Sequence, residues 1–248
     1  MTLAQFFSEH KNVGIALSGG VDSIYLMYSA VSCGADVRAY FAKTEFQPES
    51  ELRDAAEAVE MLGVPLRVID FSVLKDKNIV KNGADRCYFC KRGMMEKISA
   101  AAHEDGCEVI CDGTNASDDV SNRPGFRALG ELSVISPLRI CGLTKEEIRE
   151  RAQEAGLSVW DKPSYSCLAT RIKQEQSISE EKLARVRNAE KALFSLGFSN
   201  FRVRLNEREA TLELSKKDTL CFLKNKKTIG KMMQKYFDLV IVEPEARE

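Results

Sequence analysis

The chain has 248 residues, 44% of them hydrophobic, with 36 basic against 37 acidic side chains and a net charge of −1. That length accommodates one large domain or two modest ones with a real core, and the balanced charge argues against a dedicated nucleic-acid or membrane-surface binder. No apolar run approaches the ~20 residues of a spanning helix, and the opening MTLAQFFSEHKN lacks the basic-then-apolar layout of a signal peptide, so a cytoplasmic chain is expected.

Val13 to Leu17 is apolar on both faces and reads as a buried strand. Ser18-Gly19-Gly20 breaks it, and Ile24, Leu26, Met27 and Val31 give a helical pattern from Asp22 onward. A strand follows at 37–41, then a helix over 48–62 with Leu52, Ala55, Ala56, Val59 and Leu62 on one face and Gly63 as its stop. Leu66 to Phe71 is a third strand, 88–102 a helix, and Glu108 to Cys111 a fourth strand closed by Asp112-Gly113. Ser133 to Ile135 is expected as a fifth strand, ended by Ser136-Pro137. Thr144 with Glu147 makes a capping box for a helix that ends at Gly156. Alternating strands and helices imply an α/β fold with a parallel sheet, whose ligands bind beyond the carboxyl ends of the strands.

After Pro163 the rhythm changes. Residues 179–195 form an amphipathic helix through Leu183, Val186, Ala189 and Leu193. Phe201 to Leu205 and Ala210 to Leu214 alternate about Asn206–Glu209, which is a hairpin. One or two short helices and a last strand over 237–242 complete a small α+β domain. The expected division is 1–165 and 166–248, with the boundary between Trp160 and Ile178.

The glycine turn carries the first chemical signal. A strand, a tight turn and a helix start place unpaired backbone N–H groups and a positive dipole end at one point, which suits phosphate. Ser18 and Ser23 add hydroxyls, while Asp22 would repel a phosphate unless Mg²⁺ lies between them. The Walker pattern GxxxxGK[ST] and its lysine are absent here. The plain alternative is an ordinary strand-to-helix turn capped by Ser or Asp. The string SGGVDS after an apolar strand resembles the PP-loop of the N-type ATP pyrophosphatases, which release pyrophosphate from ATP and adenylate an oxygen of their substrate. On that resemblance Ser18, Gly19, Gly20, Asp22 and Ser23, with Lys43, Gly113 and Thr114 at the same sheet edge, are expected to hold ATP.

Eight cysteines in a cytosolic chain are expected as thiols or metal ligands rather than disulfides. Only His10 and His103 occur, so histidine-centred catalysis has little support. Cys87 and Cys90 form a CxxC, open to a redox pair, a zinc half-site, iron–sulfur ligation or mere core packing. Zinc is disfavoured because no second CxxC exists. Cys111 and Cys221 sit among apolar neighbours and are expected in the core. Cys167 lies in a loop between Lys162 and Arg171, where positive charge favours a thiolate.

SGGVDS, RCYFCK, DGTNASDDVSNRPGFRALGEL (112–132), SPL (136–138), GLTKEEIR (142–149) and WDKPSYSCLATRI (160–172) occur in that order. Together they resemble the LarE-type ATP-dependent sulfur transferases, which insert sulfur while the nickel-pincer nucleotide cofactor of lactate racemase is assembled. After Ile172 the chain runs Lys-Gln-Glu-Gln-Ser where a Pro-Tyr-Gly-like turn is expected. The resemblance implies adenylation of a pyridinium dicarboxylate mononucleotide, followed by attack of Cys167. In one branch of the family that cysteine surrenders its own sulfur; in another, cysteines at the positions of Cys87, Cys90 and Cys167 hold a [4Fe–4S] cluster, and the CxxC here favours the second. It also implies a substrate-phosphate group of Glu190, Arg202 and Arg204. The alternation independently puts the two arginines on one strand face, where a solvated face pairing with Glu207 or Glu213 is the plain alternative. A small nucleotide substrate, no nucleic acid, no membrane and a homo-oligomer are expected. The alternatives are a PP-loop tRNA thiolase, which lacks a basic footprint here, and an ammonia-dependent amide synthetase, which gives Cys167 no task.

Overall fold

The computed structural model describes residues 1–120, 124–163 and 165–247. In chain order it contains α1 (Leu3–Glu9), β1 (Asn12–Ala16), α2 (Val21–Ser32), β2 (Asp36–Lys43), α3 (Glu49–Leu62), β3 (Leu66–Asp70), α4 (Lys77–Val80) and α5 (Arg86–Glu104). Then come β4 (Val109–Asp112), α6 (Pro124–Glu131), α7 (Pro137–Ile140), α8 (Lys145–Glu154), α9 (Glu180–Ser195), β5 (Phe201–Asn206), β6 (Glu209–Ser215), α10 (Lys216–Met233) and β7 (Leu239–Arg247). Two compact units result: Met1–Ser72 with Asp85–Ser164, and Val73–Ala84 with Tyr165–Glu248.

The first unit is built on a four-stranded sheet in the order β3-β2-β1-β4, parallel throughout. The strand period of two divides its side chains between two cores. Val13, Ile15, Val37, Ala39 and Phe41 pack on one face with α1, α2, α3 and α8. Tyr40 and Ala42 pack on the other with Met95, Ile98 and Ala102 of α5 and Leu129 of α6. Helices on both faces are what buried parallel strands require. Because β1, β2 and β4 run the same way, the SGGVDS turn, Lys43 and Gly113 leave the sheet at one edge. The capping box at Thr144 is present, with the Glu147 carboxylate accepting the Thr144 N–H at 2.8 Å.

The expected fifth strand is reduced to one bridge between Ile135 and Cys111, held by Asp112 N–H to the Ile135 carbonyl and Ile135 N–H to the Ile110 carbonyl, both 2.9 Å. Ser133 before it is left-handed at φ 54° and Pro137 begins α7, so the extended stretch is too short for a ladder.

The second unit has the β5–β6 antiparallel hairpin, with β7 joining β6 in parallel. The crossover between β6 and β7 is α10, two helical pieces joined across a kink at the non-helical Asn225, in line with the one or two short helices expected there. Leu183, Val186, Ala189 and Leu193 of α9 are buried, as are Val203, Leu205, Leu212 and Leu214 of the hairpin. Cys111 is fully buried, but Cys221 is only half-buried on α10, so it is not the core residue its neighbours suggest.

Residues 73–84, expected inside the first domain, form a strap that belongs to the second unit. Its anchor is Asn82, fully buried and left-handed at φ 58°, a conformation asparagine tolerates. The Asn82 amide donates to the carbonyls of Lys173 at 2.9 Å, Gln176 at 3.0 Å and Ile172 at 3.4 Å. Its own carbonyl accepts the Glu175 N–H at 3.1 Å, and Ile178 N–H donates to the Val80 carbonyl at 2.8 Å. Leaving buried carbonyls unpaired is costly. Asn82→Ala is therefore expected to destabilise the fold by roughly 2–4 kcal/mol, read as a lower urea midpoint with an unchanged slope.

Candidate active site

The first unit gathers its polar groups around the turn between β1 and α2. Gly20 caps α2 without a side-chain hydrogen bond, and the first intrahelical bond is Ile24 N–H to the Gly20 carbonyl at 3.1 Å. The N–H groups ahead of it have no intrahelical partner and point out of the helix end. The Ser18 and Ser23 hydroxyls lie 3.0 Å apart, and the Ser18 N–H donates to Ser23 Oγ at 3.1 Å, which closes the loop on itself.

Two glycines make this closure possible. Gly19 has φ +75°, and a Cβ there would lie 2.2 Å from the Glu51 carbonyl oxygen on α3. A Cβ on Gly113, just past β4, would lie 2.8 Å from the Ser23 nitrogen on α2. The loop is thus pressed between two backbones, and no side chain fits at either contact.

Three lysines reach this edge, each on a carboxylate. Lys145 Nζ donates to Asp22 Oδ2 at 2.6 Å, and Lys91 Nζ to Asp112 Oδ2 at 3.3 Å. Lys162 pairs with Asp54 and also donates to the Gly19 carbonyl at 3.4 Å. Asp112 is nearly buried and further accepts from Thr114 Oγ1 and Ser136 Oγ, each at 2.7 Å. The other Asp22 oxygen, Oδ1, is buried with no hydrogen-bond partner among the described residues. An unpaired hard carboxylate oxygen beside an anion site fits a Mg²⁺ ligand. Burial pushes the Glu51 carboxyl up to about 7, with Lys162 pulling it down and Asp54 pushing it further up. Lys43 lies exposed at the end of β2.

The CxxC begins α5, so Cys87 and Cys90 are three residues apart on one face. Cys87 is exposed and accepts a hydrogen bond from Arg86 Nη2 at 3.6 Å. Paired thiols on an accessible helix face suit iron–sulfur ligation by donor type. Cys167 belongs to the second unit, and among the described residues no three His, Cys, Asp or Glu side chains form a metal-holding group.

In the second unit Cys167 is half-buried at the head of a short 3₁₀ turn, Leu168–Arg171. The Cys167 carbonyl accepts from the Thr170 N–H at 3.0 Å and its hydroxyl at 2.8 Å. Arg171 is fully buried: its Nη1 donates to the Ser166 carbonyl at 2.7 Å and its Nε to Glu190 Oε1 at 2.9 Å. Tyr165 places its hydroxyl on Glu190 and its ring under the Arg171 guanidinium, 4.4 Å away. Glu190 also accepts the Val203 N–H at 3.1 Å, so it enters the group as a buried counter-charge. Arg204 donates to Glu213 at 2.8 Å and to the Thr170 carbonyl at 2.6 Å. Arg202 makes no hydrogen bond or ion pair among the described residues. Burial and the neighbouring guanidiniums of Arg247, Arg171 and Arg204 hold its pKa below the usual arginine range, against a smaller opposing pull from Glu213 across the hairpin.

The structure brings Ser18, Gly19, Gly20, Asp22, Ser23, Gly113 and Thr114 together in one unit, and Cys167, Glu190, Arg202 and Arg204 in the other. Asp54, Glu51, Asp112, Lys91, Lys145, Lys162 and Arg171 were not singled out as site residues from sequence. Lys91 and Lys145 lie inside the quoted motifs, which was their only signal; Asp112 was read as a strand end and Lys162 and Arg171 as positive charge near Cys167, while Glu51 and Asp54 had no signal. Residues 121–123 of the 112–132 string and Ser164 of the 160–172 string lie outside the described residues.

With this geometry in view, the family model for thiamine biosynthesis protein (ThiI) matches residues 8–193. Pyridinium-3,5-bisthiocarboxylic acid mononucleotide synthase of Lactiplantibacillus plantarum is 31% identical over 215 residues, covering 86% of this chain and 78% of that one. The chain belongs to the ThiI-like PP-loop family, among its LarE-type members. It is an ATP-dependent sulfurtransferase. An uncharacterised protein of Synechocystis sp. is 33% identical over 94% of this chain and 87% of its own length. The NMN synthetase of Francisella tularensis shares the PP-loop fold, with a TM-score of 0.54, 20% identity, and coverage of 65% of this chain and 72% of that one. No helix among the described residues is long and apolar enough to cross a membrane.

The Glu51 carboxyl makes stability depend on pH. Its folded pKa of about 7 lies above the ordinary 4.5, so the stability it contributes is fully present below 4.5 and is lost as pH rises through 7. Glu51→Gln removes that loss. The variant is expected to match wild type near about pH 4 and to exceed it by roughly 3 kcal/mol near about pH 8, measured by urea unfolding at each pH.

Proposed function

We propose that this chain activates a carboxylate of a pyridinium dicarboxylate mononucleotide with ATP and replaces a carboxylate oxygen by sulfur, as a step toward the nickel-pincer nucleotide. The observation that carries this reading is the second unit's pairing of a thiol with an unpartnered guanidinium. Arg204 bonds the Thr170 carbonyl, three residues from Cys167, and shares a strand face with Arg202, which forms no ion pair among the described residues because Glu213, opposite it in the hairpin, pairs with Arg204. Two guanidiniums on one face grip a phosphate, and a mononucleotide carries one.

The triphosphate lies at the Ser18–Ser23 loop, with its charge met by the open N–H groups of α2 and by Lys145 and Lys91. Asp22 would hold a Mg²⁺ ion, which would supply charge neutralisation for the phosphates. A substrate carboxylate oxygen attacks the α-phosphorus, the bond to the β-phosphate bridge breaks, and pyrophosphate leaves. The Cys167 thiolate then attacks the acyl carbon and expels AMP, leaving a thioester. Arg171 and Arg204 keep the Cys167 turn in place by holding the Ser166 and Thr170 carbonyls. In the other route Cys87, Cys90 and Cys167 would hold a [4Fe–4S] cluster, with Cys167 a ligand rather than the acyl nucleophile, and the cluster would supply the sulfide. Breaking the Cβ–S bond of the thioester itself is the competing route, and it consumes Cys167.

Cys167→Ala is expected to retain carboxylate-dependent pyrophosphate release at a rate within about tenfold of wild type while forming no thiocarboxylate, measured by pyrophosphate assay and product mass in parallel. Sulfur transfer by the variant at the native rate would remove the thiol from the mechanism. Anaerobic protein that turns over repeatedly and loses this ability in Cys87→Ala or Cys90→Ala supports the cluster route. Colourless protein stopping after one turnover supports the sacrificial one.

A further inference from the structure

Asp54 and Glu51 raise a difficulty for an anion site. Both belong to the first turns of α3, the helix whose Glu51 carbonyl abuts Gly19. Lys162 touches the loop through the Gly19 carbonyl and pairs with Asp54, so a single ammonium group spans the glycine turn and a carboxylate. The groups facing Glu51 are Lys162 and Asp54, of opposite sign. Without the lysine, one carboxylate and, once ionised, a second would repel a polyanion approaching this loop.

We propose that Lys162 is a positioning residue for ATP: the counter-ion that neutralises the α3 carboxylates at the glycine turn and so lets a triphosphate settle there. Its contact with the Gly19 carbonyl fixes the ammonium on the loop side of Asp54, whose other cationic neighbour is the exposed Arg53, 3.9 Å away on α3. The peptide carbonyl of Gly19 is drawn toward the lysine, which turns the N–H of the same peptide the opposite way. This inference rests on ATP binding at the loop but not on the identity of the carboxylate substrate.

The test is the dissociation constant of Mg²⁺ with α,β-methylene-ATP, measured by calorimetry on the full chain near about pH 8, where Glu51 is mostly ionised. Lys162→Met is expected to weaken binding about tenfold or more, and Lys162→Arg, which keeps the charge, by less than about threefold. The double variant Asp54→Asn/Lys162→Met restores the net charge and is expected to recover most of the loss. A lysine with only a structural role would lower the melting temperature and leave the charge-neutral rescue absent. Lys162→Met binding within about twofold of wild type, or a double variant as weak as the single, overturns the proposal. Should Lys162→Met fail to fold, Glu51→Gln decides. It is expected to abolish the part of the affinity loss that wild type shows as pH rises through 7, and a pH profile identical to wild type overturns the proposal. Wild type that does not bind the analogue at all contradicts the ATP reading of the loop, a separate outcome.

Discussion

Two backbone contacts too close for any Cβ govern the first unit: Gly19 against α3 and Gly113 against α2. They press the β1–α2 turn against the main chain of α3 on one side and bring the Gly113 backbone against α2 on the other. The N–H groups of that end then face outward with no side-chain cap, which is the condition for a polyanion to be held by backbone. Carboxylates crowd the same edge, so three ammonium groups are needed to keep its potential from turning negative. Asp22, Asp112 and Asp54 each carry one. The architecture therefore stores its positive charge beside the loop rather than in it, which distinguishes it from a loop that carries its own lysine.

The second unit solves a different problem. It holds a half-buried thiol, Cys167, in a defined place. The Cys167 turn is held from below by Arg171, whose charge is met by Glu190 in a nearly water-free setting. A buried ion pair adds little net stability, but removal of either partner strands a charge. Its value here is orientation: the guanidinium bonds Ser166 and Thr170 on either side of Cys167, and the Glu190 carboxylate also fixes the start of β5 through Val203. Arg202 remains the one member of the Arg171–Arg202–Arg204 group with no acceptor among the described residues.

Local pattern made most of this readable. The parallel strands are apolar runs, the amphipathic helices repeat at the helical period, and Thr144 with Glu147 announces a helix start in four residues. The glycine turn was legible because its residue types suit only a narrow set of backbone shapes. The lysine–carboxylate pairs were not, since Lys145 and Asp22 are 123 positions apart and Lys162 and Asp54 are 108 apart. No periodicity encodes such meetings. The stretch at Ser133–Ile135 has strand-like residues, yet the left-handed Ser133 and the following Pro137 leave room for only one bridge. Cys221 misled because apolar neighbours in sequence are spread around a helix rather than gathered on one side.

The strap over 73–84 bears on how this protein is made. Asn82 leaves the ribosome long before Lys173, 91 positions later, the residue whose carbonyl it will bind. Until that later segment emerges, Val73 and Ile79, both fully buried in the finished protein, have no shelter in their own unit. The second unit thus cannot mature as a simple C-terminal module. It closes around a piece of chain made early and kept waiting, and a nascent protein halted between the two would display that apolar strap to the quality-control machinery of the cell.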